Sequence, residues 1–198
     1  MEPTKKITLN SLILVDGHEY KEINLSEPIA NDVITAFKSM GNKNSGEAYY
    51  DVQIALIAKV SGIPVKALEE LPTRILDEAI EYIMAFQKNN EVDCSEDRWE
   101  MELDKPISLS GADGDMIETL TLQEPTVKQR KMAMHQMDQY SNQVIGGFEF
   151  QVSLLTSVTG QKMATILKLP ISKFFKASNY LMHFFPSGQE TGENLVGN

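Results

Sequence analysis

Apolar and polar residues alternate along the first part of the chain. Ile7, Leu9, Ile13 and Val15 share one parity, Asp16-Gly17 interrupts, and Tyr20, Ile23 and Leu25 resume. Alternation, a DG turn and renewed alternation predict a β-hairpin. After Glu27-Pro28 the period becomes helical, and proline is tolerated in a first helical turn but not in a strand interior. The spacing predicts a helix over about 29–40 and a Gly/Asn/Ser loop over 41–46. A helix apolar almost all round follows, from Tyr49 to Val60. So little polar surface predicts a central, buried element that stops at Gly62. A short turn over 64–70 leads to Leu71-Pro72 and a last helix with Ile75, Leu76, Ala79, Ile80 and Ile83 on one face.

The pattern then runs a second time. Leu25-Ser26-Glu27-Pro28 returns as Leu122-Gln123-Glu124-Pro125 at an offset of 97. Val60-Ser61-Gly62 returns as Val158-Thr159-Gly160, Leu71-Pro72 as Leu169-Pro170, and Ile83-Met84-Ala85-Phe86 as Leu181-Met182-His183-Phe184, all at 98. Met101, Leu103, Ile107 and Leu109 alternate, a longer turn over 111–114 carries three inserted residues, and Ile117, Leu120 and Leu122 close the second hairpin. Helices are expected over 127–140 and from Phe148 to Val158, with a loop over 141–147 between them. The last helix carries Phe174, Phe175, Ser178, Leu181, Met182 and Phe185. The period is far above the roughly 20 to 50 residues of solenoid repeats, so it reads as a tandem domain duplication. The expected fold class is α+β, mainly helical: two tandem copies of a small module, each a β-hairpin followed by three to four helices. The expected boundaries are a first module over 1–90, an acidic linker over 91–98, a second module over 99–186 and a disordered tail over 187–198.

Composition narrows the function. The 198 residues carry a net charge of −10, which argues against non-specific nucleic-acid binding. No apolar run reaches the length of a membrane span, and the first residues lack the apolar core of a signal peptide, so cytoplasmic residence is expected. The lone Cys94 forbids an intrachain disulfide and is expected to be an inert exposed thiol. His18, His135 and His183 lack metal-ligand spacing, and none recurs in the other copy. No GxGxxG, GxxxxGK[ST], GxSxG or HExxH occurs. The acidic pairs Glu69-Glu70 and Asp77-Glu78 have no acidic counterpart in copy two at the second pair, where Phe175 and Lys176 stand. No catalytic, cofactor or metal residue is assigned, and an enzyme is not expected.

Two features carry binding instead. Met132, Met134 and Met137 crowd one helix, and methionine suits adaptable apolar surfaces. The copies also differ in charge: from Ile29 to Lys88 the balance is −2, and from Lys128 to Lys176 it is +5. The second helical region is thus expected to face an acidic partner or the acidic first copy. Candidate partner-binding residues are Phe37 and Met40 in copy one, and Met134, Met137, Tyr140, Phe174 and Phe175 in copy two.

The order of paired strands, Glu-Pro, an apolar helix ending in hydrophobic-[Ser/Thr]-Gly, then Leu-Pro and an amphipathic helix resembles the tail assembly chaperones of Mu-like tailed phages. The carrying residues are Leu25 to Pro28, Val60 to Pro64 and Leu71-Pro72, then Leu120 to Thr126, Leu155 to Gly160 and Leu169-Pro170. Copy two is the closer match, because Ile29 stands in copy one where Thr126 follows the proline. The familiar members are single modules, and this chain is a double one. More loosely, it resembles baseplate-hub assembly proteins of contractile-tailed phages. The first resemblance implies a non-enzymatic protein of the infected bacterial cytoplasm. It would bind the aggregation-prone tape measure protein and keep it soluble while the tail tube assembles. The alternative is a structural or assembly component of the baseplate or tail hub, found in the virion tail. A small host-directed binding protein is a third reading. No nucleic-acid or membrane partner is expected, and homo-oligomerisation is left open.

Overall fold

A computed structural model describes residues 4–88, 92–108 and 116–185. The chain divides into two units, Met1–Asn89 and Asn90–Asn198. Among the described residues each unit is a two-stranded antiparallel hairpin followed by four helices, so both expected hairpins and all the longer helices form. The turn expected over 111–114 and the tail expected over 187–198 lie outside the described residues.

In the first unit β1 (Thr4–Val15) pairs with β2 (His18–Ser26). Asp16 and Gly17 make the turn with φ of 49° and 80°, the left-handed conformation that a two-residue hairpin loop of this kind requires. The ladder breaks between Thr8↔Glu22 and Ile13↔Tyr20, so residues 9–12 face Lys21 alone. The second unit repeats the break: β3 (Arg98–Ser108) pairs with β4 (Met116–Gln123), and residues 103–106 face Glu118 alone between Glu102↔Thr119 and Ile107↔Ile117. A bulge at the same place in both copies is a built feature that bends the strand, and Pro106 sits where no ladder N–H is needed. Below the bulge the inward residues are buried, namely Ile7, Ile23 and Leu25 in one unit and Met101, Leu120 and Leu122 in the other.

The helices of the first unit are α1 (Ala30–Ser39), α2 (Gly46–Ser61), α3 (Val65–Glu69) and α4 (Thr73–Ala85). Those of the second are α5 (Val127–Met137), α6 (Gln143–Thr159), α7 (Met163–Ile166) and α8 (Ile171–His183). Two sequence expectations need correction. The Glu-Pro prolines precede the helices rather than joining their first turns, since Ile29 and Thr126 are the N-caps. The loop expected over 141–147 ends early: Asn142 caps α6, its side-chain oxygen accepting from the N–H groups of Val144 and Ile145 at 3.0 and 3.3 Å. Gly146 and Gly147 are therefore helical, buried residues.

The repeated [Ser/Thr]-Gly motif has a mechanical meaning. The Ser61 hydroxyl donates to the Ile57 carbonyl at 2.7 Å and accepts from the Ile63 N–H at 3.2 Å. Thr159 does the same with Leu155 at 2.7 Å and Gln161 at 3.2 Å. Gly62 and Gly160, at φ of 72° and 69°, then turn the chain out of the helix. The motif therefore ends a buried helix in each copy. Core positions also match at an offset of 98: Leu56 and Ile57 with Leu154 and Leu155, Leu76 with Phe174, and Ile83 with Leu181 are all buried.

Within the acidic linker expected over 91–98, the described residues include a segment held against α8. The Tyr180 hydroxyl donates to the Glu96 carbonyl at 2.7 Å, and Tyr180 packs against Trp99 with ring centroids 5.4 Å apart. Cys94 is half-buried rather than exposed, and burial, then the charge of Asp93, raises its pKa. Tyr180→Phe is expected to lower the stability of this unit by about 1 kcal/mol, the usual worth of one such hydrogen bond. The same substitution should speed the reaction of Cys94 with a thiol reagent. An unchanged rate would show that Tyr180 does not hold the segment down.

Candidate partner-binding site

Among the described residues no group of three His, Cys, Asp or Glu side chains could hold a metal ion, and no helix is long and apolar enough to cross a membrane. Glu78, one of the paired acids, forms an ion pair with Lys5 at 2.9 Å, a structural role at the protein surface.

What the second unit does present is an under-buried helix. In α1 the residues Ala30, Val33, Ile34 and Ala36 are buried, whereas α5 buries only Ala133. At an offset of 97 Val33 becomes Arg130 and Ile34 becomes Lys131. Two positions that serve the core in copy one thus carry cations in copy two. Helix α5 is nonetheless firmly built. Thr126 and Gln129 form a reciprocal capping box, with the Thr126 N–H donating to Gln129 Oε1 at 2.8 Å and the Gln129 N–H donating to Thr126 Oγ1 at 3.3 Å. Gln129 Nε2 then donates to the Ser157 carbonyl at 2.7 Å and ties α5 to α6. Arg130 lies over the Phe185 ring, 4.4 Å from its centroid, a cation–π contact that closes the end of the aromatic pair Phe150 and Phe185.

On the outer side of α5 is an open concavity of about 710 Å³ lined by Val127, Lys128, Lys131, Met132, His135, Gln136 and, from α6, Ser153. The helical residues recur every four, so they form one continuous face. Val127 is 77% exposed and Met132 51%, a large apolar contribution for unpaired surface positions. The charge around them is one-sided. Helix α5 holds Lys128, Arg130 and Lys131 and no acid, while 92–124 of the same unit holds ten acidic and two basic residues.

The residues singled out from sequence fall in different places. Met40 and Phe174, 5% and 0% exposed, are core side chains and offer no surface to a partner, because each fills the interior at the end of an amphipathic helix face. Phe37 and Phe175 are half-buried, and Phe175 packs on Phe148 and Phe174 at centroid distances of 6.4 and 5.8 Å. Met137 is half-buried where α5 approaches Gly146, while Met134 and Tyr140 are exposed but do not line the concavity. Val127, Lys128, Lys131 and Met132, which line the concavity, were not among the candidate residues named from sequence, although Met132 and the basic region from Lys128 had been singled out. The signal was available in the exchange of Ile34 for Lys131 between otherwise matching copies.

A family model described as phage tail assembly chaperone proteins, E, or 41 or 14, matches residues 6–88 and again 100–186. The chain belongs to this family. The two matched regions coincide with the two hairpin-and-helix units, so the chaperone is a tandem duplication of one family module. No curated protein and no solved structure matches the chain. Membership places the protein in phage tail assembly and points to protein partners there. It accords with an arrangement in which the repeated motifs cap helices and fill cores.

Proposed function

We propose that this chaperone binds the tape measure protein of its phage and keeps it soluble while the tail tube assembles around it. The observation that carries the reading is the double family match over two units whose repeated motifs are structural. A tape measure is long and helical, and an amphipathic helix can be held through spaced apolar anchors in a groove. Two tethered modules raise avidity through effective concentration, so each contact can remain weak enough to be stripped by arriving tube subunits. The protein would act in the infected host's cytoplasm and leave before the particle is complete.

The test is co-expression with the phage's own tape measure. Most of the tape measure is expected in the soluble fraction when the chaperone is present and in the pellet when it is absent. Purified particles should lack the chaperone. Its recovery from particles in fixed proportion to a tail protein would identify a baseplate or hub component instead.

A further inference from the structure

We infer that the outer face of α5 is the docking site of the second module and that its occupant is an acidic amphipathic helix of another protein. The inference relies on the chaperone reading only for the partner's identity, since the chemistry of the surface stands by itself. Val127 and Met132 offer apolar contact along the concavity, and Lys128, Lys131 and His135 border it. The lining residues from 127 to 136 span about 15 Å at the helical rise, enough to seat roughly three turns of a partner helix. A partner with apolar anchors at i, i+3, i+4 and i+7 would cover the valine and methionine, and flanking Asp or Glu would meet the lysines.

Two observations select that occupant. The first is the exchange of Val33 and Ile34 for Arg130 and Lys131, which leaves the copy-two helix with one buried residue yet a complete capping box. The helix is thus stabilised locally while its outer face remains uncovered. The second is charge. Lys128, Lys131 and His135 border the concavity and α5 carries no acid, so the occupant must supply the negative charge; the hairpin of a second copy, which exposes Glu100, Glu102, Asp104 and Glu118 beside Lys105 and Met116, is the competing occupant that the sedimentation arm of the test separates. An acidic helix with an apolar stripe satisfies both requirements at once. Copy one lacks the site, because Ile34 stands at the position of Lys131 and is 3% exposed.

The experiment uses the full chain and a fluorescein-labelled synthetic helical peptide with a leucine stripe flanked by glutamates. A second peptide carries lysine at every glutamate position. Anisotropy should show binding of the acidic peptide only, weakening as salt rises. The double variant Lys128→Glu, Lys131→Glu should bind it about tenfold or more weakly, because both border charges turn repulsive. Its circular dichroism should be unchanged, since both residues are exposed. Met132→Ser should weaken binding without altering the salt dependence. Equal binding of both peptides, or full affinity in the charge-reversed variant, overturns the assignment. So does sedimentation showing self-association that the charge reversal abolishes, which would make this face a homotypic interface. Co-expression separates the two readings. If the charge-reversed chain still keeps the tape measure soluble, the α5 site falls and the chaperone reading stands. If the wild type fails in that assay yet binds the acidic peptide, the reverse holds.

Discussion

Phe174→Ala should remove about 3 to 5 kcal/mol from the second module, the range for emptying a fully buried phenylalanine site. Phe174 is 0% exposed, on the inner face of α8, with Phe175 at 5.8 Å between ring centroids. Truncation leaves a cavity whose walls include well-fixed helices, so relaxation recovers only part of the lost contact. A module of this size has total stability near the low end of the usual 5 to 15 kcal/mol, and the loss is a large share of it. Urea denaturation followed by far-ultraviolet circular dichroism should show an early transition for the second module. The first should be left in place, since Leu76, its counterpart, is untouched. The result also decides what the aromatic pair is for. A variant with native stability and weakened partner capture would put Phe174 on a binding surface and contradict its burial.

The second large effect is expected at Gly146. A Cβ added there would lie 3.0 Å from the Met137 carbonyl oxygen and 3.3 Å from its Cγ. The nearer atom is backbone, at the end of α5, and cannot rotate away. Gly146→Val should therefore cost about 2 kcal/mol or more through forced separation of α5 from α6, within the range for overpacking. Gly146→Ala is the informative control. It gains up to about 1 kcal/mol of helix propensity but still meets the carbonyl, so its loss should be smaller than that of valine. The readout is the chemical-denaturation midpoint, together with hydrogen exchange of the α5 amides, which should quicken in the valine variant. Tolerance of valine at full stability would mean that the two helices are not held as close as Met137 and Gly146 stand.

Gly146 also shows where a sequence pattern misleads. Gly146-Gly147 after Ser141-Asn142 has the composition of a loop, and the expected loop extended over both. Gly146 is there because the end of a neighbouring helix comes near, a reason invisible to local propensity. The same limit applies to the site. Methionines crowded on one helix pointed to Met134 and Met137, but only the helix phase relative to α6 shows that Met132 lines the open face and Met137 the covered one. Phe174 and Met40 were apolar residues at helical spacing, and spacing alone does not tell a core face from a docking face.

The duplication, the hairpins, the helix stops at Gly62 and Gly160, and family-level likeness were all legible in the order of residues. They rest on local rules: alternation makes strands, left-handed glycines end helices, and a repeated pattern repeats its fold. Which apolar side chains are spent inside, where α5 lies bare, and how Lys128 and Lys131 come to border Val127 and Met132 were decided by tertiary packing. Burial depends on what the rest of the module brings alongside a helix, and that neighbour is distant in sequence.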